Sequence, residues 1–90
     1  MAKELKVYGG IFDGSNREIV AAYTKKHAHE LISRNRKMSY KSFSDYSSQT
    51  GNKKEIEIAT ADPFTVFKTS YRTFDGVYVR ADTEHSIPSP

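Results

Sequence analysis

The stretch MSYKSFSDYSSQTGN, residues 38–52, is the part of the chain around which the other elements are arranged. It places three aromatic residues, Tyr40, Phe43 and Tyr46, at near-helical spacing among serines and other polar residues. Aromatic side chains at this spacing belong to a core more often than to a stacking platform. The pattern predicts a short helix that buries Phe43 and leaves Tyr40 and Tyr46 as half-exposed contacts.

Capping residues predict where this helix and the helix before it begin. Ser39 and Thr24 each suit an N-cap, because a short hydroxyl side chain accepts a hydrogen bond from a free N–H of the first turn. Gly51 is predicted to end the helix that Ser39 starts, since glycine adopts the left-handed conformation of many C-caps. The helix that Thr24 starts, KKHAHELI, has one apolar face. That face consists of Ala28, Leu31 and Ile32.

A third helix is predicted over residues 53–60, although the sequence there also has strand character. The segment EIEIAT alternates charged and apolar residues, as a half-buried strand does. Asn52 followed three residues later by Glu55 resembles a capping box, in which the glutamate side chain bonds back to the N-cap backbone. Asp62 and Pro63 then form a helix stop. These boundary residues favour the helix.

Two β-hairpins are predicted, one on each side of the helices. Residues 6–12 and 17–23 are rich in β-branched and aromatic residues and flank the turn-forming cluster DGSN. Residues 64–71 and 77–81 have the same character and flank the turn FDG. Each pair is therefore interpreted as two antiparallel strands.

The glycines of the first hairpin resemble a phosphate-binding loop only in spacing. Gly9 and Gly14 satisfy G-x-x-x-x-G, but Ser15 and Asn16 occupy the positions that require Lys and Ser or Thr. A strand is predicted to follow, so no helix N-terminus is available for the phosphate. A nucleotide site is not expected. Gly9 and Gly10 within a strand instead predict a bulge or a close backbone approach.

The predicted order of elements is β-β-α-α-α-β-β. The simplest packing is an α+β fold in which the two hairpins form one antiparallel sheet and the short helices pack on one face. Ninety residues suffice for one small domain, which is placed at residues 1–81. Residues 82–90 contain two prolines and little apolar surface, so a disordered C-terminal tail is predicted.

The composition is that of an ordered, polar domain without thiol chemistry. The chain has no cysteine, which excludes thiolate catalysis and Cys-containing zinc sites and suits a reducing cytoplasm. No apolar run approaches the roughly 18 residues of a membrane span, and no signal peptide opens the chain. A cytoplasmic protein without membrane contact is expected. The modest core of so small a domain also suggests homo-oligomer formation as a hypothesis.

No arrangement of side chains predicts catalysis or a cofactor. His27 and His29 are two positions apart, so on a helix they point to different faces and do not chelate one metal ion. Both are interpreted as solvated side chains. The serines of residues 39–48 lack the G-x-S-x-G context of a catalytic nucleophile. We therefore expect a protein that is not an enzyme and that uses no metal and no cofactor.

The strongest remaining feature is a basic segment. Residues 24–42 contain six Lys or Arg and one Glu, a net charge of +5, whereas the whole chain carries +3. Cations neutralise phosphates and an interleaved aromatic ring can stack on a base, so the segment suits nucleic acid. A solvated helix end and loop is the ordinary alternative. The candidate binding residues, for nucleic acid or for a protein partner, are Lys25, Lys26, Arg34, Arg36, Lys37, Tyr40 and Lys41.

The chain resembles small uncharacterised proteins encoded by bacteriophages in three runs, KVYGGIFDG, REIVAAYTKKHAHELI and YKSFSDYSSQTGNKKEIEIATADPFTVF. The likeness covers residues 6–68. It consists of a glycine-containing first strand, an IVAA-T/S-KK strand-to-helix unit, and an aromatic helix that ends in a Y-S-E/Q-T-G-N motif. His27, the basic run SRNRK and the residues after Lys68 depart from that pattern. The resemblance implies a phage accessory or host-takeover product and supplies no active site.

Two functional hypotheses follow from these observations. The first is a small non-enzymatic phage accessory protein that binds and modulates a host protein in the host cytoplasm, as an inhibitor or host-takeover factor. The second is a nucleic-acid-binding module that uses the basic segment 25–41. The second predicts an affinity that falls steeply as salt rises, because phosphate contacts release counterions. Affinity purification with and without nuclease separates the two.

Overall fold

One antiparallel sheet is the framework of the part of the chain that the structure describes. The structure is a computed structural model, and it describes residues 4–12, 14, 16–34, 37–70 and 78–81. The elements are β1 (Lys6–Ile11), β2 (Asn16–Ala22), α1 (Lys25–Ser33), α2 (Tyr40–Tyr46), β3 (Ser47–Gln49), α3 (Lys53–Ala61), β4 (Phe67–Ser70) and β5 (Val79–Arg80). Neighbouring strands follow the order β3-β1-β2-β4-β5, and every pairing is antiparallel.

The α+β class is confirmed, but the predicted order lacks one strand. β3 lies between α2 and α3, so the order is β-β-α-α-β-α-β-β rather than β-β-α-α-α-β-β. α2 ends at Tyr46, and not at Gly51 as predicted. The residues that follow are extended and pair with β1, with Ser47 opposite Gly10. Among the described glycines Gly14 alone has a positive φ, of 80°, so Gly51 is not a left-handed cap.

The helices pack on both faces of the sheet, which corrects the prediction that they cover one face. α1 and α2 cover the face that carries Val20, and Phe43 of α2 is fully buried there as predicted. α3 covers the opposite face, where Ala59 packs with Ile19. The cause is the run IVAA at residues 19–22 of β2, whose four side chains are 0% exposed. Successive residues of a strand point to opposite faces, so a continuous apolar run requires cover on both sides.

Gly9 and Gly10 allow other groups to lie directly against β1. The β1–β2 register is continuous over six residue pairs, so the predicted bulge does not form there and the predicted close approach is confirmed. A β-carbon at Gly9 would lie 2.7 Å from Nη2 of Arg17. A β-carbon at Gly10 would overlap the backbone carbonyl oxygen of Tyr46. The missing side chains therefore make room for a guanidinium on one face and for the end of α2 on the other.

The three predicted N-caps are confirmed. Thr24, Ser39 and Asn52 each accept a hydrogen bond from a backbone N–H of the first turn, at 2.9–3.2 Å. α3 therefore settles residues 53–60 as helix rather than strand. The return bond of the capping box does not form, because the backbone N–H of Asn52 donates to Thr50 Oγ1 at 3.1 Å. The carboxylate of Glu55 turns towards the sheet instead.

The second predicted hairpin is shorter than expected in its described part. β4 begins at Phe67 rather than at residue 64, because Phe64 has a positive φ of 67° and leaves the extended conformation. β5 is two residues long. The predicted turn at residues 74–76, the predicted strand start at residue 77 and the predicted tail at residues 82–90 lie outside the described residues.

Candidate binding surfaces

The structure places the predicted basic residues in two groups at opposite ends of α1. Lys25 and Lys26 belong to its first turn, and Arg34 is its C-cap residue. Lys26 and Arg34 are separated by roughly 12 Å along the helix axis, at 1.5 Å per residue. Arg36 lies outside the described residues. The other predicted residues lie in the connection to α2 and in α2 itself, and they are Lys37, Tyr40 and Lys41.

An open cavity of about 300 Å³ lies beside α2, and we call it the α2 cavity. Tyr46, which lines it, is 67% exposed. Phe12, which follows β1, also lines it and stacks on buried Phe43 with ring centroids 5.7 Å apart. This stacking fixes the position of the Phe12 ring at the edge of the cavity. The lining combines apolar and aromatic side chains with one cation and two hydroxyl groups, and it consists of Phe12, Lys37, Met38, Ser42 and Tyr46.

His29 holds the segment before α2 against α1. Its Nε2 lies 2.8 Å from the carbonyl oxygen of Met38, and because a carbonyl only accepts, the ring donates from Nε2. The His29 ring also contacts the Tyr40 ring edge-on and the Phe43 ring, with ring centroids 5.5 and 5.6 Å apart. The interpretation of His29 as a solvated side chain is therefore wrong. These contacts form because the segment at Met38 packs back against α1. The spacing of residues along α1 does not predict them.

The segment that contributes Lys37, Met38 and Ser42 to the α2 cavity is predominantly basic. Lys41 is 88% exposed, and its Nζ lies 3.5 Å from Oδ2 of Asp45 in an i,i+4 pair. Exposed pairs of this kind contribute at most about 1 kcal/mol, so their partners exchange readily. Arg34 and Lys37 are also exposed. Among the described residues from Arg34 to Asp45, three cations and one carboxylate therefore face solvent.

A second surface, which the sequence analysis missed, lies at the start of α1. The rings of Phe64 and His27 have centroids 5.3 Å apart, and those of Phe64 and Tyr23 are 5.5 Å apart. Tyr23 and His27 are in turn 6.4 Å apart. We call these three residues the Phe64 cluster. Phe64 is 41% exposed, whereas the other two rings are half-buried, so the cluster presents the phenylalanine to solvent.

Tertiary structure, rather than local sequence, determines the position of Phe64. Its φ of 67° is left-handed, a conformation that costs a non-glycine residue about 1–3 kcal/mol. Its N–H donates to the carbonyl of Ala21 in β2 at 3.0 Å. The pair Asp62 and Pro63 correctly indicates that α3 stops. It does not predict the left-handed backbone conformation of Phe64 that follows. The prediction of strand at residue 64 fails for this reason.

The carboxylate of Glu55 joins α3 to the sheet on the face opposite the α2 cavity. Arg17 of β2 donates from Nε to Oε2 at 2.7 Å and from Nη2 to Oε1 at 3.0 Å. Thr50 Oγ1 donates to Oε1 and the Tyr78 hydroxyl donates to Oε2, both at 2.7 Å. Glu55 is only 3% exposed, and each of its two oxygens accepts two hydrogen bonds. The group is therefore buried and fully satisfied.

These contacts fix the charge states of the network. Burial acts to raise the pKa of Glu55, but the hydrogen bonds from Arg17, Thr50 and Tyr78 and the positive charge of Arg17 outweigh it and lower the pKa to about 2. Burial and the hydrogen bond to Glu55 raise the pKa of Tyr78 to about 12. The hydrogen bond to Glu55 likewise raises the pKa of Arg17. A carboxylate this acidic and this fully bonded is not suited to general-base catalysis.

The fold and its surfaces define the class of protein as a small α+β domain with two exposed surfaces that combine aromatic and basic residues. Comparison of the chain with protein-family models, with curated protein sequences and with solved structures finds no match. The resemblance to phage proteins therefore rests on the quoted sequence runs and stays a prediction. Within the described residues, no helix has the length and apolar character needed to cross a membrane, and no group of three or more His, Asp or Glu side chains is placed to hold a metal ion.

Proposed function

We propose that this chain is a small non-enzymatic phage accessory protein that binds and modulates a host protein in the host cytoplasm. The observation that carries the proposal is the α2 cavity, which combines the exposed Tyr46 with the cation Lys37; α2 itself also carries the exposed Tyr40 and Lys41. The sequence runs shared with phage proteins support the origin, and the lack of cysteine suits a cytoplasmic site of action.

The chemistry of the α2 cavity indicates the kind of partner segment that it would bind. Tyr40 and Tyr46 are 44% and 67% exposed, and tyrosine offers a large contact area with few torsions to immobilise. An apolar side chain of the partner would occupy the cavity, because such anchors in pockets carry most of the energy of an interface. Lys37 and Lys41 would face carboxylates beside it. We therefore expect a partner segment with an apolar anchor flanked by Asp or Glu.

The location of the groups with shifted pKa values favours binding over catalysis. Active sites commonly hold groups with perturbed pKa values beside a cleft. Here Arg17 and Tyr78 both donate to Glu55 on the face opposite the α2 cavity, where these hydrogen bonds stabilise the fold. Their perturbation is explained by this structural network, so it does not indicate a reactive centre.

The test is affinity purification from a lysate of the host bacterium with the tagged full chain, with and without nuclease. A stoichiometric protein that is retained after nuclease treatment is expected. Tyr46→Ala removes one wall of the α2 cavity, so it should weaken capture of that protein by at least about tenfold, as loss of a central anchor does. Ile56→Ala is the matched control, because Ile56 is an exposed apolar residue of α3. Recovery of no stoichiometric protein, or turnover of nucleotide or nucleic acid by the purified chain, would overturn the proposal.

A nucleic-acid-binding module that uses the segment 25–41 is the second candidate. The described cations of this segment belong to two groups at the two ends of α1, and only the group at its start adjoins the Phe64 cluster. That juxtaposition is the observation that favours nucleic acid. In the purification experiment, nucleic acid as the main ligand predicts that the recovered material is lost on nuclease treatment.

A further inference from the structure

We propose that the Phe64 cluster, together with Lys25 and Lys26, is a binding site for single-stranded nucleic acid. The cluster combines an exposed ring for base stacking with two cations that belong to the same turn of helix as His27. The site is independent of the proposed host-protein surface, because it lies at the opposite end of α1 from Arg34 and the connection to α2.

The geometry of the cluster suits stacking of a base. Phe64 is 41% exposed, and its ring packs against the half-buried rings of His27 and Tyr23 at centroid distances of 5.3 and 5.5 Å. Proteins that bind single strands without sequence preference stack successive bases on such aromatic side chains. The backbone of Phe64 is left-handed and its N–H donates to the carbonyl of Ala21, which ties the residue to β2 at a position where its side chain is exposed.

The charges around the cluster favour an anionic partner. Lys26 is exposed and Lys25 is half-exposed, and the first turn of α1 contains no acidic residue. Asp62, two residues before Phe64, has Arg80 as an ion-pair partner at 3.1 Å. Glu30 lies at the i+4 position from Lys26 and reduces the positive potential on that side. The attraction is therefore centred on the first turn, next to the aromatic rings, where the backbone of a stacked strand would run.

The experiment measures fluorescence anisotropy of labelled oligothymidylate with the full chain over a series of salt concentrations. Phe64→Gly removes the stacking ring and relieves the left-handed backbone, so it should weaken binding about five- to 150-fold, the effect of losing one stacked base. The pair Lys25→Glu and Lys26→Glu should weaken binding and reduce the log–log salt slope by about 1.4, which is 0.7 for each lost phosphate contact. Circular dichroism and urea unfolding of each variant establish that the fold is retained.

Lys53→Glu with Lys54→Glu is the matched control. These lysines begin α3 as Lys25 and Lys26 begin α1, they are exposed, and they give the same change of net charge on the other face of the sheet. Little effect of the control, beside clear loss in the two test variants, is the expected result. The proposal is overturned if oligothymidylate does not bind at low salt, if Phe64→Gly binds as wild type, or if the control weakens binding as much as the test pair. Equal affinity for duplex DNA, whose bases cannot stack on the ring, or equal competition by polyglutamate also overturns it.

Discussion

Arg17 and Glu55 are joined by two parallel hydrogen bonds, of 2.7 and 3.0 Å, although 38 positions separate them in the sequence. The pair connects β2 to α3, and hydrogen bonds from Thr50 and Tyr78 attach the residues before α3 and beside β5 to the same carboxylate. A bidentate guanidinium–carboxylate contact is directional, so it fixes the orientation of α3 on the sheet more strictly than apolar packing does. This network is a polar link between α3 and the strands of the sheet.

Loss of the Glu55 carboxylate should destabilise the domain strongly. Glu55→Ala leaves the half-buried Arg17 guanidinium without its counter-ion and leaves two hydroxyl donors without their acceptor. Removal of one partner of a buried pair costs about 3–5 kcal/mol, and the partial exposure of Arg17 places the expected loss near 3 kcal/mol. Urea unfolding followed by circular dichroism measures the change in the free energy of unfolding. Glu57→Ala, an exposed neighbour on α3, is the control, and a similar small loss in both variants would contradict the structural role.

Stability should fall in acid because of the same carboxylate. The pKa of Glu55 is about 2 in the folded chain and 4.5 for an ordinary glutamate, so the folded state holds the proton more weakly than the unfolded state. The stabilisation is therefore fully present above about pH 4.5 and is lost progressively as the pH falls to about 2. Urea midpoints measured across this window should decline more steeply for wild type than for Glu55→Gln, which cannot titrate there. Parallel declines would show that other groups dominate acid unfolding.

Tyr78 should produce a second pH window in alkali, with the opposite sign. Burial and the hydrogen bond to Glu55 favour the neutral phenol, so its folded pKa of about 12 lies above the ordinary value of 10.0. The stabilisation is present below pH 10 and is lost as the pH rises to about 12. Tyrosine ionisation followed by ultraviolet absorbance should show one phenol that titrates late, and Tyr78→Phe should abolish that component. Its persistence in Tyr78→Phe would assign the late titration to another tyrosine.

The parts of the fold that local chemistry determines could be predicted, and the parts that tertiary contacts determine could not. N-caps such as Thr24 and Asn52 act within one turn, so short spacings sufficed to place the three helix starts. β3 has the sequence SSQ, which lacks strand-forming residues, and it is a strand because Gly10 lets the end of α2 approach β1. The continuous apolar run IVAA indicates a strand that is buried on both faces of the sheet. The prediction instead placed all helices on one face and left the other face exposed.

The same distinction applies to the candidate surfaces. Phe43 was predicted as core from helical spacing, and it is 0% exposed. The basic residues are predicted as one segment, but Lys25 and Lys26 begin the nine-residue helix α1 and Arg34 follows its last residue, so the helix separates them into two groups. The Phe64 cluster forms because the hydrogen bond from Phe64 to Ala21 brings residue 64 next to residues 23 and 27. This contact is between residues far apart in the sequence, so local spacing does not predict it.

Gly10→Ala should destabilise the domain, whereas Gly51→Ala should not. A β-carbon at Gly10 would overlap the carbonyl oxygen of Tyr46 and crowd the Phe12 ring, so the end of α2 must shift. Overpacking of this kind costs about 1–3 kcal/mol. A β-carbon at Gly51 meets nothing within 4 Å, and the backbone there is not left-handed, so the loss of unfolded-state freedom should stabilise by about 0.4–1 kcal/mol. Urea unfolding of both variants gives the comparison, and equal destabilisation would contradict the close approach at Gly10.

Gly9→Ala should act through the Arg17–Glu55 pair. A β-carbon at Gly9 would lie 2.7 Å from Nη2 of Arg17 and 2.9 Å from Cγ2 of Ile19, so the guanidinium must leave its place above β1. Once it is displaced, part of the stabilisation from Glu55 is already lost. In a double-mutant cycle, Gly9→Ala with Glu55→Ala should therefore destabilise by less than the two single changes added together, with a coupling above about 0.5 kcal/mol. Gly10→Ala with Glu55→Ala acts on opposite faces of the sheet and should be additive within about 0.3–0.5 kcal/mol. Additivity in both cycles would show that Gly9 makes room for Ile19 alone, and that the guanidinium does not depend on the missing side chain.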